Sequence, residues 1–322
     1  MSPDGCPQVG DVPSVILALI ITEGCRDDAE HVVPVGWLFR TDLENHGANL
    51  TRPRTVPHMN IASLAFRTDL AMLEHSGSTV EDRGTHLVVR TADNPTFWWG
   101  NFLLLPAAPA DADEARSWLA TFESEFPDSR HRTFGVDGQA GTAEDLAPFA
   151  EVGMDTEWSS VMTATAVHEP PRPNPTATYR PLSSDDDWAQ QIDLDMAGEE
   201  PGTHSLAFVT ARSEAERRLV AAGYGAWWGA FEDDRLLASM GLFTASPGLA
   251  RFQNVKTHPD ARGRGLAGTL VHRVSRYGFD ELGAHTLVMV ADPEYLAIRI
   301  YRSVGFADTE RQLQAERKPS DS

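Results

Sequence analysis

Between Arg262 and Gly268 the chain reads RGRGLAG, two arginines and three glycines in seven residues. A β-like run, LARFQNVKT, ends shortly before it, and a helix-like run begins inside it. Where a strand gives way to a helix, the first backbone N–H groups of the helix have no acceptor within it and point outward. Glycines let an anion approach those groups closely, and the helix dipole adds attraction. Arg262 and Arg264 supply full positive charge beside them. The chemistry served by this spacing is phosphate binding, most directly the pyrophosphate of a nucleotide-containing cofactor.

The rest of the chain narrows the setting. Its 322 residues suffice for two domains of ordinary size, with 41% hydrophobic and 23% charged residues, as in globular proteins. A net charge of −20 argues against nucleic acid as a partner and is compatible with a cationic small molecule. Cys6 and Cys25 are the two cysteines, which excludes a disulfide framework and a zinc ribbon, and no metal site is expected. The early apolar run Val15 to Ile21 is too short to span a bilayer and lacks a basic flank, so neither membrane nor secretion is implied and a cytoplasmic location is expected. The motifs GxSxG, HExxH and GxxxxGK[ST] are absent.

Residues 1–58 are rich in Pro, Gly and polar side chains and read as an irregular extension. From 59 to 167, periodicity predicts a helix over 61–73, strands at 86–90 and 97–105, a helix over 113–126, a strand at 131–136, a helix over 142–150 and a strand at 157–164. Pro170, Pro171, Pro173 and Pro175 make 168–177 an extended linker. From 178 to 322 a similar alternation returns. A short strand at 178–180 precedes a helix opening at Ser183, whose serine and acids suit a helix N-terminus. A hairpin over 226–244 turns at Asp233–Arg235, and strand 249–257, helix 265–278, strand 286–290, helix 295–304 and a last strand follow. Val152-Gly153-Met154 and Val304-Gly305-Phe306 close the corresponding helices, so the halves read as a diverged duplication. The repeated WWG at 98–100 and 227–229 falls on elements that do not correspond.

Two families compete for the glycine-rich turn. Gly263, Gly265 and Gly268 spell GxGxxG, with Asp292 ending the next strand, as in an NAD(P)-dependent oxidoreductase of the Rossmann type. Alternatively, Arg262-x-x-Gly265-x-Ala267 resembles the R/Q-x-x-G-x-G/A signature of the GNAT acetyltransferases. A Rossmann turn follows its strand directly, whereas here Thr257 to Ala261 intervene with a proline at 259. The 54 residues after Gly268 (322 − 268) are too few for a second mononucleotide half. Moreover, AIRIYRSVGF at 297–306 resembles the second GNAT signature, a helix carrying a tyrosine and ending at Gly-Phe. The GNAT resemblance therefore prevails. It is dense over 250–306 and rests on element order elsewhere.

That resemblance implies an α/β fold with a mixed sheet, two acyl-CoA N-acyltransferase (GNAT-like) domains in tandem, and acetyl-CoA as co-substrate. It implies that the backbone of Val255, Lys256 and Thr257 pairs with the pantetheine arm. The amides of Gly263, Arg264, Gly265, Leu266, Ala267 and Gly268 would hold the pyrophosphate, with Arg262 in the motif's first position. Tyr301 matches the family tyrosine beside the departing thiolate, for which a phenol of pKa ~10 is a competent acid. Where many members carry an asparagine for the pantetheine arm, this chain has Glu294.

No base is legible on the strand before the loop. Glu199 and Glu200 border the expected acceptor entrance as candidates to bind or deprotonate the amine, and His258, just before a proline in an outward turn, reads as inert. In the first half, prolines and acids follow the strand at 106–115, where glycines and arginines would be needed. The first half is thus expected to be degenerate, with Trp98, Trp99 and Asn101 either core or pocket wall. The implied reaction is direct acetyl transfer to a small-molecule or peptide amine, by a monomer or homodimer. A non-catalytic acyl-CoA-binding protein is the other alternative.

Overall fold

The computed structural model describes residues 59–198, 205–294 and 297–318. Helix α1 (Leu64–His75) starts at Ser63, whose hydroxyl accepts the Phe66 amide, and buries Phe66, Leu70 and Leu73. Strands β1 (Thr79–Asp82), β2 (Leu87–Arg90) and β3 (Phe102–Leu105) follow, then α2 (Ala112–Glu125), β4 (Arg132–Val136), α3 (Ala147–Glu151) and β5 (Asp155–Ala164). The second half runs β6 (Thr178–Pro181), α4 (Asp185–Gly198), α5 (Leu206–Ala221), β7 (Gly225–Glu232), β8 (Arg235–Ser246), β9 (Leu249–Thr257), α6 (Leu266–Asp280), β10 (Thr286–Ala291), α7 (Ala297–Arg302) and β11 (Ala307–Arg317).

All of these strands join one 11-stranded sheet in the order β1-β2-β3-β4-β11-β5-β10-β9-β8-β7-β6. The order is nearly symmetric about the β5·β11 seam. An antiparallel run, β1 to β3 in the first half and β6 to β9 in the second, leads in each to a parallel pair, β3 with β4 and β9 with β10. Each parallel pair is then extended by the last strand of the other half: β11 lies against β4 and β5 against β10, both antiparallel. The halves have therefore exchanged their final strands, and the sheet runs without a break from one to the other. The helices that end before those strands close alike. Gly153 and Gly305 take positive φ (80° and 118°), and the amides of Met154 and Phe306 reach back to the carbonyls of Phe149 and Tyr301.

One face of the sheet carries α6 and α7 over a core that includes Leu266, Leu270, Val274, Met289 and Tyr301, and α2 and α3 over a second core around Phe122, Phe134 and Phe149. The other face carries α4, α5 and α1. Helix α1 packs on its own half through Phe66 and Leu70 and on the other half through Met72, beside Trp227 and Phe243. The buried Arg251 of β9 fastens it further, with Nη2 3.0 Å from Asp69 Oδ1 and Nη1 donating to Thr68 Oγ1 at 2.7 Å. Burial pushes the Asp69 carboxyl up, against the pull of Arg251.

Three sequence expectations need amending. Residues 97–105 are not one strand: Trp98–Gly100 is a 3-10 turn, held by the Asn101 side-chain amide donating to the carbonyls of Asn94 and Phe97, and strand begins at Phe102. The helix over 142–150 is a 3-10 turn at Ala143–Leu146 running into α3, with a Thr142–Asp145 capping box at its start. The linker is no loose spacer, because Pro170 and Asn174 are buried. Strand β1 and helix α5 had not been foreseen. Residues 1–58, read as an irregular extension, lie outside the described residues.

Candidate cofactor and acceptor site

Strands β9 and β10 pair in parallel only over Leu249–Arg251 and Thr286–Val288. Beyond Arg251, β9 stays hydrogen-bonded to β8 as far as Thr257, while β10 stays with β5 as far as Ala291. Held from opposite sides, the two strands part and leave a gap through the sheet. Among the described residues, no strand lies against the β10-facing edge of residues 252–257, which contains Val255, Lys256 and Thr257.

Within that stretch β9 bulges. Ser239 faces Lys256 and Gly241 faces Gln253, so Asn254 and Val255 together oppose Met240. Asn254 takes φ 44°, which asparagine tolerates better than most residues, and its buried Nδ2 has no partner among the described residues. The bulge frees backbone at the gap from the β8 ladder. No motif announced it.

Past β9, a 3-10 turn at Pro259–Ala261 is capped by His258, whose Nδ1 accepts the Asp260 amide. His258 Nε2 lies 3.3 Å from Arg235, so this histidine is engaged in the turn. Helix α6 then opens on Gly265, its N-cap, with φ 78° and no side-chain cap. Among the described residues, the amides of 263–268 donate to no backbone carbonyl. Arg262 is exposed and lies next to Gly263, around which a Cβ would meet nothing within 4 Å. Unpartnered amides, open space and an exposed guanidinium suit a diphosphate.

The mouth has a second wall, which the sequence did not suggest. The linker crosses α6 so closely that a Cβ on Gly265 would sit 2.3 Å from the Arg172 carbonyl oxygen, and one on Gly268 would sit 3.2 Å from Pro170 Cβ. Asn174 anchors it, its amide donating to Thr269 Oγ1 at 2.8 Å and its Nδ2 to the Arg264 carbonyl at 3.0 Å. Arg264 itself is held by both carboxylate oxygens of Glu232, at 2.6 Å each. Both loop arginines are exposed, and Arg264 is the one committed to a carboxylate.

The other expected residues scatter. Leu266 and Gly268 are buried and Ala267 half-buried at the helix start. Tyr301 is 6% exposed, in a cluster that also takes in Val255 and Ala291, one from each parting strand. The Lys256 side chain turns to the opposite face, where Nζ lies 3.6 Å from Asp195 Oδ1 of α4. There it joins a buried group in which Arg212 donates to Asp195 at 2.6 Å and Gln191 bridges Asp195 and Glu216. Burial pushes the Glu216 carboxyl up to about 8, opposed by Arg212. Glu199 and Glu200 lie outside the described residues. Glu294 is exposed, its amide donating to Asp292 Oδ1. Trp98 is buried against His131, and Trp99 is half-buried with its indole N–H on Glu316, 3.3 Å away.

In the first half the equivalent elements are closed. β3 and β4 pair to their ends at Leu105 and Val136, and the Asp137 amide continues the ladder to the Leu105 carbonyl. At the start of α2, Asp111 accepts the amides of Asp113 and Glu114, and Glu114 accepts that of Ala110. Carboxylates occupy that helix mouth, as the acids at 106–115 suggested.

Among the described residues no helix is long and apolar enough to cross a membrane, and no group of His, Cys, Asp or Glu could hold a metal ion. No curated protein matches the chain. Its structure resembles a GCN5-related N-acetyltransferase from Kribbella flavida, with 17% identity, TM-score 0.56, and coverage of 81% of this chain and 97% of that one. It also resembles one from Sphaerobacter thermophilus (16%, TM-score 0.52, 75% and 83%). A conserved protein of unknown function from Staphylococcus epidermidis is similar as well (10%, TM-score 0.58, 76% and 95%). At these identities the likeness concerns the fold, and its coverage takes in both halves. The sequence of 190–306 matches the family model of the Acetyltransferase (GNAT) family. The segment 190–306 thus matches the GNAT acetyltransferase family, in a chain whose fold is like that of the GCN5-related N-acetyltransferases.

Proposed function

We propose that the chain is an acetyl-CoA-dependent N-acetyltransferase whose second half performs direct transfer to an amine, the first half being its structural partner. The observation that carries this reading is the conjunction of a β9/β10 gap, a bulge at Asn254–Val255 and unpartnered amides at 263–268, all in one half. Acetyl-CoA supplies an activated thioester. The amides of Gly263 to Gly268 and the Arg262 guanidinium bind its diphosphate, and the open edge of Val255 to Thr257 aligns the pantetheine arm. Backbone N–H freed by the bulge polarises the thioester carbonyl. The amine gives up its proton to solvent, its nitrogen bonds to the acyl carbon, the C–S bond breaks and Tyr301 donates its proton to the departing sulfur. The domain division at 59–167, 168–177 and 178–322 belongs to the same reading, amended by the exchanged strands: the seam makes each half incomplete without the other. Soluble operation in the cytoplasm as a monomer or homodimer completes it.

Titration calorimetry with acetyl-CoA and NADH in parallel, followed by thiol release across an amine panel, tests the reading. Acetyl-CoA binding with amine-dependent thiol release is the expected outcome. NADH binding without acetyl-CoA binding would restore the oxidoreductase, and acetyl-CoA binding with no acceptor turned over would favour a binding protein.

A further inference from the structure

On the face opposite α6, the seam brings acids from three strands together. Glu157 of β5 faces Gln314 of β11 across the ladder, and Glu316 stands two residues further along, so all three side chains leave the sheet on one side. Asp292 follows the end of β10, four positions past Val288, where pairing with β9 stops. It therefore borders the gap. Burial pushes the Glu157 carboxyl up to about 7, and the charges of Glu316 and Asp292 add to the effect. The Glu316 carboxyl is raised in the same way. The nearby Lys318 lies 3.9 Å from Glu316, and Asp155 adds a further negative charge.

A second observation is independent of these charges. Gln314 is 4% exposed, yet its Nε2 has no hydrogen-bond partner among the described residues. A buried amide donor left unmatched is destabilising, and here it stands beside crowded carboxylates that would each be relieved by a cation. A diamine answers both deficits once one of its nitrogens, deprotonated as acyl transfer requires, offers a lone pair while the other stays an ammonium. Trp99, donating its indole N–H to Glu316, adds an aromatic surface of the type cations favour.

We infer that Glu157, Glu316 and Asp292, gathered around Gln314 at the open end of the β10 strand, form the acceptor-binding subsite and take an alkyl diamine or polyamine. The inference rests on the acyltransferase reading above. It makes the first half a contributor to specificity, because Glu157 lies on the strand that half lends to its partner. No covalent step is assigned to these residues. They hold one ammonium group while another amine reaches toward the gap.

The test is titration calorimetry of the full chain with 1,4-diaminobutane, n-butylamine and 1,4-butanediol as probes. Saturable binding in the order diamine, monoamine, diol is expected. Glu157→Gln should weaken the diamine at least about 10-fold, as loss of one charge-assisted contact requires. Asp292→Asn, which keeps the oxygen that accepts the Glu294 amide, supplies a second variant with little risk to folding and should weaken it in the same direction. No saturable diamine binding, no preference for charge, or equal affinity in wild type and both variants would overturn the subsite. Coenzyme A titrated separately keeps the two ideas apart: its binding without diamine binding sinks only the subsite, whereas its failure to bind sinks the acyltransferase reading whatever the diamine does.

Discussion

Helices α2 and α6 occupy equivalent places in the two halves, and their N-termini hold opposite chemistry. At α2 the amides of Asp113 and Glu114 are taken by Asp111, and that of Ala110 by Glu114. At α6 the N-cap is a glycine with φ 78°, and the amides of 263–268 donate to no backbone carbonyl. The strands in front differ to match, since β3 and β4 stay paired to their ends while β9 and β10 part after three residues. The same dipole and the same surplus of N–H donors are present in both. What separates a structural helix start from an anion site is whether the protein's own carboxylates arrive first.

That contrast can be broken most severely by giving α6 the cap of α2. Gly265→Asp places a carboxylate at the mouth and a Cβ against the Arg172 carbonyl, in a backbone conformation that L residues rarely adopt. Calorimetry should register a loss of coenzyme A affinity on the order of 100-fold or more, together with a lower Tm. Tyr301→Phe should cut kcat about 100-fold while leaving the KM for acetyl-CoA within a few-fold, a split read by steady-state kinetics. An unchanged kcat would remove Tyr301 as the acid.

Arg262→Ala should weaken coenzyme A about 10-fold, and Arg264→Ala by less, because Arg264 is already committed to Glu232. Equal effects would mean that Arg264 leaves Glu232 when the diphosphate binds. In the first half, Asp111→Ala should cost about 1 kcal/mol of stability by denaturant titration and leave coenzyme affinity alone.

The smallest effect is on pH dependence. Glu157 and Glu216 have folded-state carboxyls raised by burial, to about 7 and about 8. Groups raised in this way favour folding below their unfolded values and lose that contribution as pH rises through the folded ones. Tm should therefore decline between about pH 5 and pH 8, and Glu157→Gln should flatten the part nearer pH 7. Asp292, Glu316 and Lys318 act on Glu157, and Asp155 on Glu316, so salt should moderate the slope.

Legibility in the sequence followed the range of the interaction. The glycine loop, the β9–α6 boundary and the tyrosine helix are local patterns, and they lie where periodicity and capping put them. The Asp233–Asp234 turn (φ 48° and 61°) is equally local and joins β7 to β8 as expected. Helix α5 escaped because its buried face includes the polar Arg212, Ser213 and Glu216, of which Arg212 pairs with Asp195 and Glu216 with Gln191, both on α4. The WWG at 98–100 looked like strand because tryptophan favours sheets, but Asn101 claims the neighbouring carbonyls and winds it into a turn.

The glycine-rich helix start at 262–268, the acids at 106–115 and the recurring layout could all be read from the chain, since glycine, charge and hydrophobic period act within a few residues. Tertiary structure alone decided that the halves trade their last strands, that the proline linker walls the loop, and that Glu157 meets Asp292. Those outcomes depend on contacts between segments ninety or more residues apart, which no local spacing encodes.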